Sequence, residues 1–261
     1  MTEKPNLYDW DLPELETQLA AWGQPSYRAR QIWEWLYQRL VTDFDAMSSL
    51  PKSLREQLAA HTTLAMPTVL SRQESLDGET RKDLLALADG EQVEVVLMHY
   101  IERHSACLST QVGCAMSCAF CATGQMGFVR QLSSGEIVAQ ALHLQRELLT
   151  RGESLSNIVL MGMGEPLLNY DATLTAIRKL VHPRGFGMGQ RRITLSTVGI
   201  APGIRRLAEE SLQINLAISL HAATDALRQQ LMPVNRKYPL DALFSAVHAY
   251  LQATNRRVTF E

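Results

Sequence analysis

The sequence lacks the features that would place it in a membrane or outside a cell. No apolar run approaches the roughly 20 residues that a membrane-spanning helix needs. The opening MTEKPNLYDW has neither the basic end nor the apolar stretch of a secretory signal. These absences lead to the expectation of a cytoplasmic protein with no membrane partner. Net charge is also small, −2 over 261 residues. It gives no general attraction to polyanions, so nucleic-acid binding would have to come from local basic patches. Cysteine is scarce: there are four, and all lie between Cys107 and Cys121. A disulfide scaffold spreads its cysteines along the chain to close loops. Thiols crowded into one short stretch point instead to a metal centre or redox chemistry.

What is present is an ordinary globular composition, 46% hydrophobic and 20% charged, in a chain long enough for one large domain and a small one. Residues 1–62 read as helical, because LPELETQLAAWG, PSYRARQIWEWLYQRL and LPKSLREQLAAH repeat apolar side chains at three- and four-residue steps. Residues 63–104 change pattern. Val-, Leu- and Thr-rich segments with Asp77–Gly78 and Asp89–Gly90 between them predict an antiparallel meander. From 105 to 261 apolar strands alternate with helices, the signature of a parallel sheet covered by helices. Five such strands, counted from ACLSTQV, favour an α/β partial (β/α) barrel. In such folds the chemistry sits at the carboxyl ends of the strands.

The cysteines sit there, directly after the first strand of the series. Cys114-Ala-Met-Ser-Cys118-Ala-Phe-Cys121 has a C-x3-C-x2-C spacing. Three thiolates on one loop can hold three irons of a cubane cluster. The fourth iron is then open to a small chelating molecule, and the amino and carboxylate groups of S-adenosylmethionine can fill it. Structural zinc with Cys107 as fourth ligand is the plain alternative, although zinc sites usually present paired knuckles separated by a longer spacer. Phe120 would cover one side of the site. Gly162-Met163-Gly164-Glu165-Pro166 follows the next strand, where glycines admit close approach, and peptide groups with Glu165 could hold a methionine ammonium. Ser196 ends the third strand; Ser219, Leu220 and His221 end the fourth. Each of these ends offers hydroxyl or imidazole groups to a ribose or carboxylate.

At these residues the sequence resembles the RlmN/Cfr family of radical S-adenosylmethionine methyltransferases acting on adenosine in RNA. The stretches that carry the resemblance are ACLSTQVGCAMSCAFCATGQMGF, MGMGEPLLNY, ITLSTVGI, NLAISLHA and LMPVNRKYPL. They favour the rRNA- and tRNA-modifying branch over the antibiotic-resistance branch. The resemblance implies a radical S-adenosylmethionine barrel, a [4Fe–4S] cluster on Cys114, Cys118 and Cys121, and an RNA-binding accessory domain at the N-terminus. It implies methylation of adenine C2 in 23S rRNA and tRNA, an electron donor such as flavodoxin, and a monomer. It further implies that one S-adenosylmethionine methylates a cysteine near the C-terminus while a second is cleaved reductively to make the radical. Cys107 matches the residue that then forms a disulfide with the methyl carrier, and Glu94 matches the proton acceptor. On the residues alone, Glu94 reads equally well as a solvent-facing strand residue.

This sequence departs from that pattern by having no cysteine beyond Cys121. With the apparent strand RRVTFE at its end, it reads as a fragment, which the family mechanism predicts cannot methylate RNA. Candidate RNA contacts are Tyr27, Arg28, Arg30 and Trp33, then Arg191–Arg192, Arg205–Arg206 and Arg256–Arg257. Two other readings stay open: a radical enzyme with another substrate, such as a glycyl-radical activase, and a zinc-stabilised RNA-binding module.

Overall fold

A computed structural model describes residues 4–261. The N-terminal module holds α1 (Leu12–Ala21), α2 (Tyr27–Tyr37) and α3 (Lys52–His61). Asp11 starts α1 through a capping box with Glu14, which satisfies two of the free amides at the helix start. Each helix buries one stripe: Leu15 and Leu19; Ala29, Ile32, Trp33, Leu36 and Tyr37; Leu54 and Leu58. The ends of the module close on each other, since Leu7 N donates to Thr63 O and Thr63 N to Pro5 O.

The predicted meander is present as β1 (Thr68–Glu74), β2 (Thr80–Ala86), β3 (Gln92–Tyr100) and β4 (Arg103–Cys107), each antiparallel to the next. It is continuous with the parallel part of the fold. β4 also pairs in parallel with β7 (Leu155–Leu160), so the meander and the parallel strands share one eight-stranded sheet. The sheet continues through β8 (Ile193–Thr197) and β9 (Asn215–Ile218) to β10 (Val258–Phe260), all parallel. β1 and β10 are its two edges and do not pair, so the barrel is open.

The expected strand ACLSTQV is split. β4 stops at Cys107, and β5 (Gln111–Gly113) leaves the sheet to pair with β6 (Phe128–Gln131). That hairpin brackets the cysteine loop and the short α4 (Ala122–Met126), elements the sequence reading missed. Helices α5 (Ser134–Leu149), α6 (Tyr170–Val181), α7 (Ala201–Ala208) and α9 (Leu240–Thr254) match the predicted ones, while α8 (Asp225–Leu231) was not foreseen.

Side chains alternate across the sheet. On β2 and β3 one set faces α5: Asp83 is fully buried and held by Arg72 Nε at 2.9 Å and His143 Nε2 at 3.0 Å, and Arg81 pairs with Glu147. The other set, Lys82, Glu94, Val96 and Met98, is half-buried on the opposite face. Through the register Val96↔Cys107, Cys107↔Val159 and Val159↔Thr194, that face also carries Cys107 and, two residues beyond Thr194, Ser196.

Candidate active site at the strand ends

A cleft of ≈ 250 Å³ opens at the carboxyl ends of the parallel strands. Cys114, Cys118 and Cys121 line it together with Phe120, Gly164, Glu165, Ser196, Ser219 and His221. The structure therefore brings together most of the residues expected from sequence. Leu220 is not among the lining residues. It packs against the core and is held by its backbone, its N–H donating to Glu261 O and its carbonyl accepting from Arg228 Nε. A larger crevice of ≈ 650 Å³ lies between the N-terminal module and α5, but its Arg130 is already bound by Asp89 and Glu136. The smaller cleft is the one that gathers the cysteines and the polar strand ends.

The cysteine loop is shaped by close backbone contacts. Gly113 has φ +71°, and a Cβ there would meet the Gly127 carbonyl at 2.0 Å, so only glycine lets Cys114 N donate to Gly127 O. Ala119 N donates to Leu231 O, which fastens the loop to the end of α8. All four cysteines are free thiols, with Cys114 and Cys118 buried. Burial pushes Cys118 up to about 11, reinforced by the other two thiols, and the nearby Arg228 opposes this. Cys114 is raised for the same first reason, while the amides of Met116 and Gly164 donate toward its sulfur.

These features fit an iron–sulfur cluster. Amide-to-sulfur hydrogen bonds stabilise a thiolate ligand. Three neighbouring thiols, two of them buried, can ionise together only with a cation among them. A single zinc would hold its sulfurs about 3.8 Å apart, from a Zn–S bond near 2.3 Å. Among the described residues, the three cysteines do not form a group with all ligand atoms within 4.8 Å. The wider spacing suits thiolates on separate irons.

The Gly-Met-Gly-Glu-Pro turn is built against this loop. A Cβ on Gly162 would strike Ser109 Oγ at 2.7 Å, and one on Gly164, at φ +104°, would strike Gln111 Cβ at 2.6 Å. Glu165 lines the cleft but is 1% exposed. Its oxygens accept from Leu167 N at 2.9 Å and Val198 N at 2.8 Å, and burial pushes its carboxyl up to about 7. Much of Glu165 is therefore committed to tying β7's loop to the end of β8. Ser196 Oγ and Ser219 Oγ lie 3.3 Å apart. His221, in the left-handed region at φ +57°, meets Phe120 edge-on with ring centroids 4.7 Å apart. Phe120 thus closes one wall, as its place in the loop suggested.

Cys107 and Glu94 are outside the cleft's lining, on the half-buried sheet face beside it. Burial pushes the Cys107 thiol up to about 11, so it is protonated at neutral pH. Glu94 is at the top of β3: its carbonyl accepts from Ser109 Oγ at 2.6 Å, and that same hydroxyl accepts from Met163 N. Its carboxylate is 2.7 Å from Lys82 Nζ. Sequence reasoning missed Lys82 because the pairing depends on strand register. It also missed Arg228, fully buried, which holds the carbonyls of Val198 and Leu220 at the ends of two strands.

Of the RNA candidates, Trp33 must be withdrawn. It is 2% exposed and packs against Tyr37 and His182, because it falls on the stripe that α2 turns inward. Tyr27 is 50% exposed with Arg28 over its ring. Arg206 is paired with Asp171, and Arg256 bonds Asn215.

Residues 5–64 match the model of the ribosomal RNA large subunit methyltransferase N-terminal domain, and residues 108–260 match the radical SAM superfamily. The chain is 50% identical to a probable dual-specificity RNA methyltransferase RlmN of Chloroflexus aurantiacus, over 99% of this chain and 70% of that protein. It is also 50% identical to dual-specificity RNA methyltransferase RlmN 1 of Myxococcus xanthus, over 98% and 71%. The crystal structure of a radical SAM methyltransferase from Sphaerobacter thermophilus superposes with a TM-score of 0.94 at 50% identity, covering 98% of this chain and 75% of that one. With the cysteine loop and strand-end cleft in place, these matches decide the question: the chain belongs to the RlmN family of radical S-adenosylmethionine RNA methyltransferases.

Proposed function

We propose that the protein methylates C2 of adenosine in 23S rRNA and tRNA, with the radical generated at the strand-end cleft. The observation that carries this reading is the position of the Cys114–Cys118–Cys121 loop. It faces polar groups from three successive strand ends, in a chain whose first helices match a ribosomal RNA methyltransferase domain. A [4Fe–4S] cluster held by Cys114, Cys118 and Cys121 would supply the single electron for reductive cleavage of S-adenosylmethionine, chemistry that side chains alone cannot supply.

The chain's own residues prepare the place. Cys114, Cys118 and Cys121 would hold three irons. The peptide groups around Gly164, and whatever hydrogen-bonding capacity Glu165 retains, face the methionine end. Ser196 and Ser219 offer hydroxyls to the sugar or carboxylate, and His221 with Phe120 forms one wall of the cleft. Glu94 accepts the proton displaced from the adenine carbon, provided the base reaches its carboxylate. Cys107, a protonated thiol, is the partner for the methyl-carrying thiol. Tyr27, with the half-buried Arg28 over its ring, offers an exposed stacking surface for RNA. We further propose a monomer working in the cytoplasm with a flavodoxin-type donor, because the substrates are there and the cluster needs single electrons.

Anaerobic purification with iron, sulfide and zinc analysis tests the cofactor: iron and sulfide near four per chain are expected, and stoichiometric zinc without iron would overturn it. Mass mapping of rRNA and tRNA from a deletion strain should show one methyl group missing from an adenosine at each site. Unchanged RNA would refute the substrate.

A further inference from the structure

We propose that Lys82 is a positioning residue for the proton acceptor: its ammonium fixes the Glu94 carboxylate on the half-buried sheet face beside the cleft. This rests on the reading of Glu94 as the proton acceptor. Lys82 Nζ is 2.7 Å from Glu94 Oε1, and both side chains are about two-fifths exposed, at 39% and 40%. In register, Lys82 pairs with Val96 and Val96 with Cys107, so ammonium, thiol and carboxylate share one face of three adjacent strands. Glu94 is one level higher, toward the cleft mouth, and its backbone is clamped to the Gly162–Met163 turn through Ser109.

Two physical requirements meet in this pair. A general base must be within hydrogen-bond reach of its proton, but a half-exposed glutamate on a strand has several rotamers. One short ion pair to Oε1 restricts them and leaves Oε2 free. The carboxylate must also hold its place when RNA phosphates approach, and a neighbouring ammonium offsets that repulsion. The competing explanation is a simple diagonal cross-strand ion pair, which stabilises a sheet by only about 0–1 kcal/mol when exposed.

The test uses the enzyme as its gene encodes it, loaded anaerobically with cluster and S-adenosylmethionine and mixed with its RNA. Methylated adenosine and 5′-deoxyadenosine are counted separately. For Lys82→Met the ratio of methylated adenosine to 5′-deoxyadenosine is expected to fall about 10- to 100-fold, a part of the 10²–10⁴ that a general base contributes. The KM for RNA should change less than about threefold, and Tm should stay within about 2 °C. Lys82→Arg should recover most of the ratio, while Lys82→Gln should not. Glu94→Gln should lower the ratio at least as far, and adding Lys82→Met to it should change nothing more. If Glu94→Gln lowers the ratio but Lys82→Met leaves it at the wild-type value, Lys82 does not position the base although the Glu94 reading stands. If Glu94→Gln itself leaves the ratio unchanged, Glu94 is not the proton acceptor. A Lys82→Met enzyme that loses thermal stability at an unchanged ratio would show a purely structural ion pair.

Discussion

The seam between the N-terminal module and the sheet, and the mouth at the strand ends, are both buried and both polar, yet they complete their polar groups differently. At the seam the Lys179 ammonium has three donors and three acceptors: Tyr8 O, Asp9 O and Ser134 Oγ, each at 2.7 Å. Arg146 does the same across the gap with Leu40 O, Val41 O and Tyr8 OH. At the mouth, three thiols line one cleft with amides aimed at one of them, and among the described residues it is Arg228 that favours the charged form of Cys118. A network closed within the chain holds the fold. One that is closed only by something added is a binding site, and the two should respond differently to substitution.

The largest difference should appear at the mouth. Replacing Cys118 with Ala removes one of three thiolates from a cluster that has no spare ligand. Bound iron should drop far below four per chain, with loss of the cluster's broad visible absorbance and 5′-deoxyadenosine formation at background. Stability of the cluster-free protein should hardly fall, since a small buried thiol gives way to a small apolar group. Full iron loading of Cys118→Ala would break the comparison, because it would mean that another residue closes the site.

Lys179→Met at the seam should behave in the opposite sense. Three buried oxygens lose their donor, at a cost of about 3 kcal/mol from unsatisfied polar groups, or a Tm lower by roughly 6–10 °C. Cluster loading at low temperature should be unchanged. The pH dependence carries a second signature. Burial pushes Lys179 down from 10.5 to about 8. Between those values the unfolded chain binds more protons than the folded one, so this group's contribution rises with pH in that window and is flat below it. The stability of wild type over Lys179→Met should therefore grow from pH 8 to about 9.5. Denaturant titrations showing a constant gap would mean the three acceptors keep the ammonium fully charged in the fold.

How far each region could be read from sequence depends on how local its interactions are. The helical stripes of α1–α3 and the strand–helix alternation are set by spacing within one element, and they were legible. So were the cysteine triplet and the polar strand ends, because a motif on one loop needs no knowledge of the fold. The β5–β6 hairpin and α8 were not. They are four residues or so to a turn or two long, and what stabilises them is distant: Cys114 N on Gly127 O, Ala119 N on Leu231 O. Lys82 was invisible for the same reason, since its partner is set by the register of two strands. Glu165 was legible as a cleft residue, but its commitment to Leu167 N and Val198 N was not.

Glu165 gives an intermediate case, being at the mouth but wired like the seam. In Glu165→Gln one of the two acceptor oxygens becomes an amide donor facing a backbone N–H. A loss of about 1–3 kcal/mol is expected from the unsatisfied amide, together with S-adenosylmethionine binding weaker by about tenfold. Calorimetric titration of cluster-loaded protein reads the second effect and thermal melts the first. Weaker binding with no change in melting would place Glu165 wholly on the ligand's side of the comparison.

The smallest effect tests whether the comparison extends to the surface. Tyr27 and Trp33 are six residues apart on α2, and only the helix's orientation separates their fates: Trp33 is inside the seam-side packing, while Tyr27 stands half in solvent. A ring that is exposed, with a guanidinium 4.8 Å from its centre, is suited to stack on an unpaired base. Stacking of that kind contributes about 1–3 kcal/mol per base, and an edge position such as this should give the lower end, about a five- to tenfold weaker Kd for RNA in Tyr27→Ala. Because the ring buries little against the protein, Tm should stay within about 1 °C. The 5′-deoxyadenosine yield without RNA should be unaffected, since the cleft is far along the chain and built from other elements. Filter binding with the natural RNA reads the affinity. An unchanged Kd would mean that this face of the N-terminal module is simply solvated, and that RNA approaches the cleft over another surface.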